Sequence, residues 1–198
     1  TESKRVEQAL RDSEFKLRQV LDTNPNLIMV RNGDGRLVLA NLALSQFYDM
    51  SVDEIIGKRH TDLHQSRGGD PAESSNWLET DREIFDNGQP QQLLTRATET
   101  SGRIHWFRTK KLPLSLANGE RNILIICEDI TDLKLAEEEL AKERDLLQAL
   151  MDNVPDNIYF KDVQSRFIRI NTYQAYHLGL TSPSEAVGKS DADFYPLD

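Results

Sequence analysis

His60 and His64 stand four residues apart in Lys58-Arg-His60-Thr-Asp62-Leu-His64, a spacing that on one helical turn would present two imidazoles to a metal ion. No Glu-rich or cysteine partner lies near them, so exposed or locally hydrogen-bonded histidines are the plainer expectation and no metal is assigned. Cys127 is the single cysteine, which excludes an internal disulfide, a CxxC redox pair and a cysteine metal site. Alternation puts it on one strand face with Ile123 and Ile125, where a small buried hydrophobe is expected. Arg31 alternates with Met29, and a guanidinium on an inner face needs an anion or solvent. Either a carboxylate ligand or a neighbouring acidic side chain would have to meet it. No Ser-His-Asp or Cys-His set, phosphate-cradling glycine loop or kinase phosphoacceptor box can be assembled, so no catalytic residue is assigned.

The elements that must carry these residues follow from periodicity and punctuation. Residues 3–23 read as an amphipathic helix, with Val6, Leu10, Leu17, Val20 and Leu21 at helical spacing and Pro25 ending the pattern. Two β-prone runs, 27–31 and 36–40, flank Asn32-Gly-Asp-Gly35, whose residues tolerate positive φ and suit a hairpin. Short helices follow over 41–48 and from Ser51-Val-Asp-Glu54, a capping-box sequence closed by Gly57. Asp70-Pro71-Ala-Glu73 combines an N-cap, a proline at N1 and a reciprocal acid at N3, predicting a helix to about Asn87-Gly88 that buries Trp77, Leu78, Ile84 and Phe85. From Gln91 the period becomes that of strands, over 91–99, 103–114 and 121–128, with turns at Ser101-Gly102 and Asn118-Gly119. Residues 131–153 read as a second amphipathic helix, with Leu133, Leu140, Leu147 and Val154 at heptad steps.

The chain also repeats itself. Asp22-Thr-Asn-Pro25-Asn-Leu-Ile28, Arg36 and Asn41 return as Asp152-Asn-Val-Pro155-Asp-Asn-Ile158, Arg166 and Asn171, a constant shift of 130 (152 − 22 and 171 − 41). After a one-residue slip, Gly57-Lys58 and Asp62 answer Gly188-Lys189 and Asp193. A period this long means tandem domains, not a solenoid, and nothing after residue 198 supplies the counterpart of 68–130, so a piece of a longer protein is expected.

A net charge of −9 offers no basic stripe for phosphates, so no nucleic-acid partner is expected. No apolar run reaches the roughly 18 residues that span a bilayer, and Thr1-Glu-Ser-Lys-Arg5 lacks a signal-peptide core, so no membrane contact and a reducing cytoplasm are expected.

Two strands, short helices, a longer helix and three strands, closed by Glu128-Asp129-Ile130-Thr131 before a charged helix, resembles the PAS sensor-domain family. Asn41 after the second strand, Gly57-Lys58, and Trp106 with Lys111-Leu-Pro113-Leu match as well, and 157–196 looks like a second start of the same unit. The resemblance implies an α+β PAS fold: a five-stranded antiparallel sheet with short helices and one longer helix on one face, flanked by amphipathic signalling helices. The implied domains are an N-terminal helix (1–23), a complete first PAS unit (24–131), a linker helix (132–153) and an incomplete second unit (154–198).

The family encloses a ligand or cofactor between the sheet and the long helix, which makes Met29, Arg31, His60, Trp77, Phe107, Thr109 and Cys127 the implied pocket candidates. Flavin-binding relatives carry a photoreactive cysteine where His60 stands, and haem-binding relatives use a histidine of the long helix, which residues 70–88 lack. Neither cofactor is expected, and the ligand is left unassigned. Asp129, Ile130 and Thr131 are the implied signal relay. Leu133, Leu140 and Leu147 are the expected contacts of a homodimer. The implied role is the input module of a sensor histidine kinase or a cyclic-di-GMP (diguanylate cyclase) enzyme, with a covalently linked output domain beyond Asp198. The competing expectation is a dimerisation module without a ligand.

Overall fold

The computed structural model describes residues 2–66, 68–99, 101–115 and 119–195. Asn118 of the expected second turn and residues 196–198 of the expected second unit lie outside them. Contacts divide the chain into two units, Thr1–Lys134 and Leu135–Asp198.

The first unit opens with α1 (Glu2–Thr23), none of whose residues is buried; Val6, Phe15 and Leu17 are each more than half exposed. The hairpin follows as β1 (Leu27–Asn32) and β2 (Leu37–Ala40), with a register shift at Val30/Arg31. The strand pattern beginning at Arg36 is corrected by one residue, because Arg36 instead bridges Arg59 in isolation. Helix α2 (Leu42–Tyr48) is capped by Asn41, and α3 (Val52–Ile55) by the reciprocal Ser51/Glu54 box; Gly57, at φ +82°, then takes a left-handed turn that a side chain would strain. Helix α4 (His60–Ser66) precedes α5 (Pro71–Asn87), which starts at the Asp70 cap and Pro71 and ends at left-handed Gly88.

Strands β3 (Gln91–Thr98), β4 (Ile104–Ser115) and β5 (Arg121–Asp129) form an antiparallel meander. Strand β5 also pairs antiparallel with β1, giving a five-stranded sheet in the order β2-β1-β5-β4-β3. The strands joined by the longest loop of chain thus lie in the middle of the sheet. The core sits between one sheet face and helices α2 to α5, with Leu37, Leu44, Ile55, Ile84 and Ile123 fully buried.

Two expectations for α5 need correction. Trp77, Asp81 and Ile84 form its buried stripe, whereas Leu78 lies off that stripe and is 38% exposed. Glu73 does not reciprocate the cap; its carboxylate accepts from Arg96 Nε at 2.9 Å, because a strand cation competes better than the N-terminal amide.

Helix α6 (Thr131–Asn153) leaves β5 after a single residue. In the second unit β6 (Tyr159–Lys161) and β7 (Phe167–Ile170) pair antiparallel, followed by α7 (Thr172–His177) and two 3-10 turns at Pro183–Ala186 and Asp191–Asp193. A small apolar core of Phe167, Ile170, Ala175 and Ala186 is buried there. No helix of the described residues is long and apolar enough to cross a membrane.

Candidate functional site

Strand alternation builds the inner wall of the first unit. Met29 and Arg31 of β1, Ile123, Ile125 and Cys127 of β5, and Phe107, Thr109 and Lys111 of β4 are all buried, whereas Trp106 and Arg108 lie on the other face and are only half-buried. Trp77 of α5 and His60 of α4 close the opposite side. Together with Leu27, Leu44, Phe47, Tyr48, Thr95 and Ala97, these buried side chains, Ile123 excepted, line a cavity of about 40 Å³. All seven residues singled out as pocket candidates (Met29, Arg31, His60, Trp77, Phe107, Thr109 and Cys127) are placed on its wall. The volume is room for about three waters, so most of the interior is filled by the protein's own side chains.

The polar part of that interior is a charge cluster. Asp81 stands four residues after Trp77 on the buried stripe of α5. Arg31 Nη2 donates to Asp81 Oδ1 at 3.1 Å and lies 3.0 Å from Oδ2 as an ion pair. Lys111 Nζ donates to Asp81 Oδ1 at 2.7 Å and also meets the Thr80 hydroxyl and the Trp77 carbonyl, so all three of its protons are placed. Two buried cations therefore share one carboxylate. Burial pulls the pKa values of Arg31 and Lys111 down, against the opposing field of Asp81.

The two helical histidines point to different partners. His60 stacks on Trp77, with ring centroids 4.9 Å apart, and its Nε2 shares a 3.0 Å hydrogen bond with the Tyr48 hydroxyl. Burial, reinforced by Arg31, holds its pKa well below the ordinary 6.5. His64 packs tilted against the same indole and turns Nε2 toward Glu73, 3.3 Å away; burial lowers its pKa too, although Glu73 pulls the other way. The rings serve as neutral core groups around Trp77. Gly69 belongs to this packing, because a Cβ there would come within 2.2 Å of the His64 ring. Cys127 is buried beside the Thr109 hydroxyl, 3.5 Å from its sulfur, and burial pushes its thiol up, away from the reactive thiolate.

At the end of β5 the junction is a hydrogen-bonded clamp. Asp129 Oδ1 accepts from the Thr131 backbone N–H at 2.8 Å and from its hydroxyl at 2.5 Å. The Thr131 hydroxyl oxygen in turn accepts from Trp106 N, and Ile130 N donates to Trp106 O at 2.8 Å. The first turn of α6 is thereby tied to β4. His105 Nδ1 shares a 2.6 Å hydrogen bond with the other Asp129 oxygen and stacks on Phe107, which contacts Phe47 edge-on. Partial burial raises the Asp129 carboxyl, but the Thr131 and His105 hydrogen bonds outweigh it and hold its pKa below the usual range. Leu133, Leu140 and Leu147 lie beyond this clamp and are each about half or more exposed.

A second polar device repeats in both units. Asn41 Nδ2 donates to the carbonyls of Leu21, Asn24 and Asn26, while its Oδ1 accepts from Ile28 N and Leu44 N. Asn171 makes the same five bonds, to Met151, Val154 and Asp156 and from Ile158 and Gln174. Arg36 reaches the carbonyl of Gly57 at 2.8 Å, and Arg166 that of Gly188 at 2.9 Å. One asparagine gathers the helix end, the strand start and the next helix.

The profile of the PAS fold family matches residues 21–135. The chain belongs to the PAS fold family. A curated relative, the methanogenesis regulatory histidine kinase FilI of Methanothrix harundinacea, is 27% identical over 143 residues, which is 72% of this chain but only 16% of that protein. The PAS domain of Bordetella pertussis BvgS is 26% identical, covering 70% of this chain and 98% of that one at a TM-score of 0.50. The PAS domain of an HTR-like protein from Haloarcula marismortui is 20% identical, covering 64% and 99% at 0.53. The five-stranded antiparallel sheet with its helices is that of these PAS structures.

Sequence reasoning passed over Asp81, Lys111, Tyr48 and His105. Lys111 had a signal, since it alternates with Phe107 and Thr109. So had Asp81, at four residues from Trp77 and three from Ile84 on a helix whose stripe is otherwise apolar. Tyr48 and His105 had none, because their partners lie 12 and 24 residues away on other elements.

Proposed function

We propose that this chain is the sensory input module of a multidomain signalling protein, a sensor histidine kinase or a cyclic-di-GMP enzyme. In this reading the PAS cavity takes a small ligand, and its occupancy is relayed through Asp129-Ile130-Thr131 to α6. The observation that carries the reading is the contact series Phe47, Phe107, His105, Asp129 and Thr131, which runs from the cavity wall to the first turn of that helix. A ligand that displaces Phe107 changes the hydrogen bond of His105, and so the relative stability of two positions of the helix start. The repeated asparagine device supports reading residues 154–198 as the opening of a second PAS unit in the longer protein, and the single cysteine fits a reducing cytoplasm as its setting.

The test is native mass spectrometry with an absorption spectrum on the whole chain purified without added cofactor, followed by hydrogen exchange of residues 131–140 with and without the molecule found. A stoichiometric added mass whose removal alters exchange in that helix supports the reading. A bound molecule that leaves the exchange unchanged overturns the relay.

A second reading has its own observation in favour. The cavity is small, and α1 exposes Val6, Leu10, Phe15, Leu17 and Val20 while α6 exposes Leu133, Leu140 and Leu147. An interaction module would pair such faces in a homodimer and need no ligand. Clean ligand-free dimers in the same mass spectrum would favour it.

A further inference from the structure

The charge cluster of the first unit does not close on itself. Arg31 is 2% exposed and lines the cavity, yet its Nε and Nη1 meet no hydrogen-bond acceptor of the protein. The single carboxylate of the cluster, Asp81, is already shared with Lys111 and does not line the cavity; nor does any other Asp or Glu among the described residues. Across the cavity, His60 keeps Nδ1 buried without a partner, and when the Tyr48 hydroxyl donates to Nε2 that Nδ1 carries a proton to donate. The remaining walls are apolar: Leu27, Leu44, Phe47, Ala97 and Ile125 among them.

We propose that the cavity is a site for a small monocarboxylate of two or three carbons, one oxygen of which accepts from Arg31 Nη1 and the other from His60 Nδ1. The alkyl end lies against the apolar wall. A buried guanidinium N–H left unmet is costly, and an anionic oxygen is the acceptor that meets it best. An added anion balances two cations against two carboxylates. The small volume favours short acids such as acetate and propionate. This assignment rests on the ligand-receptor reading above and specifies its ligand class.

The test is isothermal titration and ligand-observed NMR on the whole chain with sodium acetate and sodium propionate, against propionamide and sodium nitrate at the same concentrations. Saturable one-to-one binding of the carboxylates, with propionamide at least about tenfold weaker, is expected. Arg31→Met, which leaves Asp81 to Lys111 alone, should abolish it while the circular dichroism stays unchanged. The propionamide comparison decides the matter on the natural chain even where that variant fails to fold. No carboxylate binding at tens of millimolar overturns the assignment, and so does nitrate binding as well as acetate. Equal binding of propionamide overturns it too, while leaving a receptor for neutral ligands standing. Carboxylate binding with no change of exchange in α6 supports the assignment and overturns only the relay.

Discussion

The segment from Asp22 to Lys58 and its repeat from Asp152 to Lys189 make the same asparagine bonds, the same arginine-to-glycine-carbonyl bond and the same bulged hairpin, yet differ in what they bury. Met29, Val30 and Arg31 of β1 are buried, whereas Tyr159 and Phe160, their counterparts around β6, are more than half exposed. The reason is the sheet. Strand β1 has β2 on one side and β5 on the other, while β6 has only β7 among the described residues. The comparison teaches that the hairpin and its clasp are local products of about 40 residues, and that a pocket is not. Two strands expose one face and both edges, which is marginal without further cover.

Removing an element that only the first segment has should have the largest effect. Trp77→Ala takes away the indole on which both histidines pack, and should destabilise the first unit by about 3–5 kcal/mol in urea unfolding. Hydrogen exchange in residues 154–195 should not change; a parallel loss there would break the separation of the two units. The clasp comes next. Asn41→Ala leaves buried donors and acceptors unmet and should cost about 2–4 kcal/mol, and Asn171→Ala should instead raise exchange only around Ile158 and Gln174. Equal unfolding penalties for the two variants would contradict the difference in burial.

Acidification sharpens the comparison further. His60 and His64 have folded pKa values below the ordinary 6.5, so the unfolded chain binds more protons and stability falls as pH drops below 6.5. Protonation of His60 should destabilise the first unit progressively as pH falls from 6.5 to 5. Stability flat over that range, measured by urea midpoints, would mean that the rings take up protons in the fold as readily as in the unfolded chain. The smallest effect on stability is expected of Leu140→Lys on the exposed face of α6, within about 0.5 kcal/mol. If that face pairs, sedimentation should nevertheless show weaker self-association, and an unchanged dimer would remove α6 from the interface.

Most elements could be read from the chain. The Ser51/Glu54 box, Asp70-Pro71 and Gly88 act within a few residues, and the strand period after Gln91 persists for whole strands. The corrections differ in cause: Leu78 falls off the stripe that Trp77, Asp81 and Ile84 bury, whereas Glu73 and Arg36 are each taken by a partner distant in sequence, Arg96 and Arg59. The same boundary runs through the candidate site. Alternation grouped Met29 with Arg31, Phe107 with Thr109 and Cys127 with Ile125 on common strand faces and helical spacing marked Trp77 for burial, while the resemblance to the PAS family implied that these faces line the pocket. Only the tertiary structure decided that Arg31 and Lys111 share Asp81, 50 and 30 residues away, that His60 meets Tyr48, and that His105 couples the wall to Asp129. Periodicity fixes the direction of a side chain about its own axis, whereas the identity of its neighbour depends on β1 entering the sheet beside β5. That pairing closes a loop of about ninety residues and is held by long-range burial, which no local pattern records.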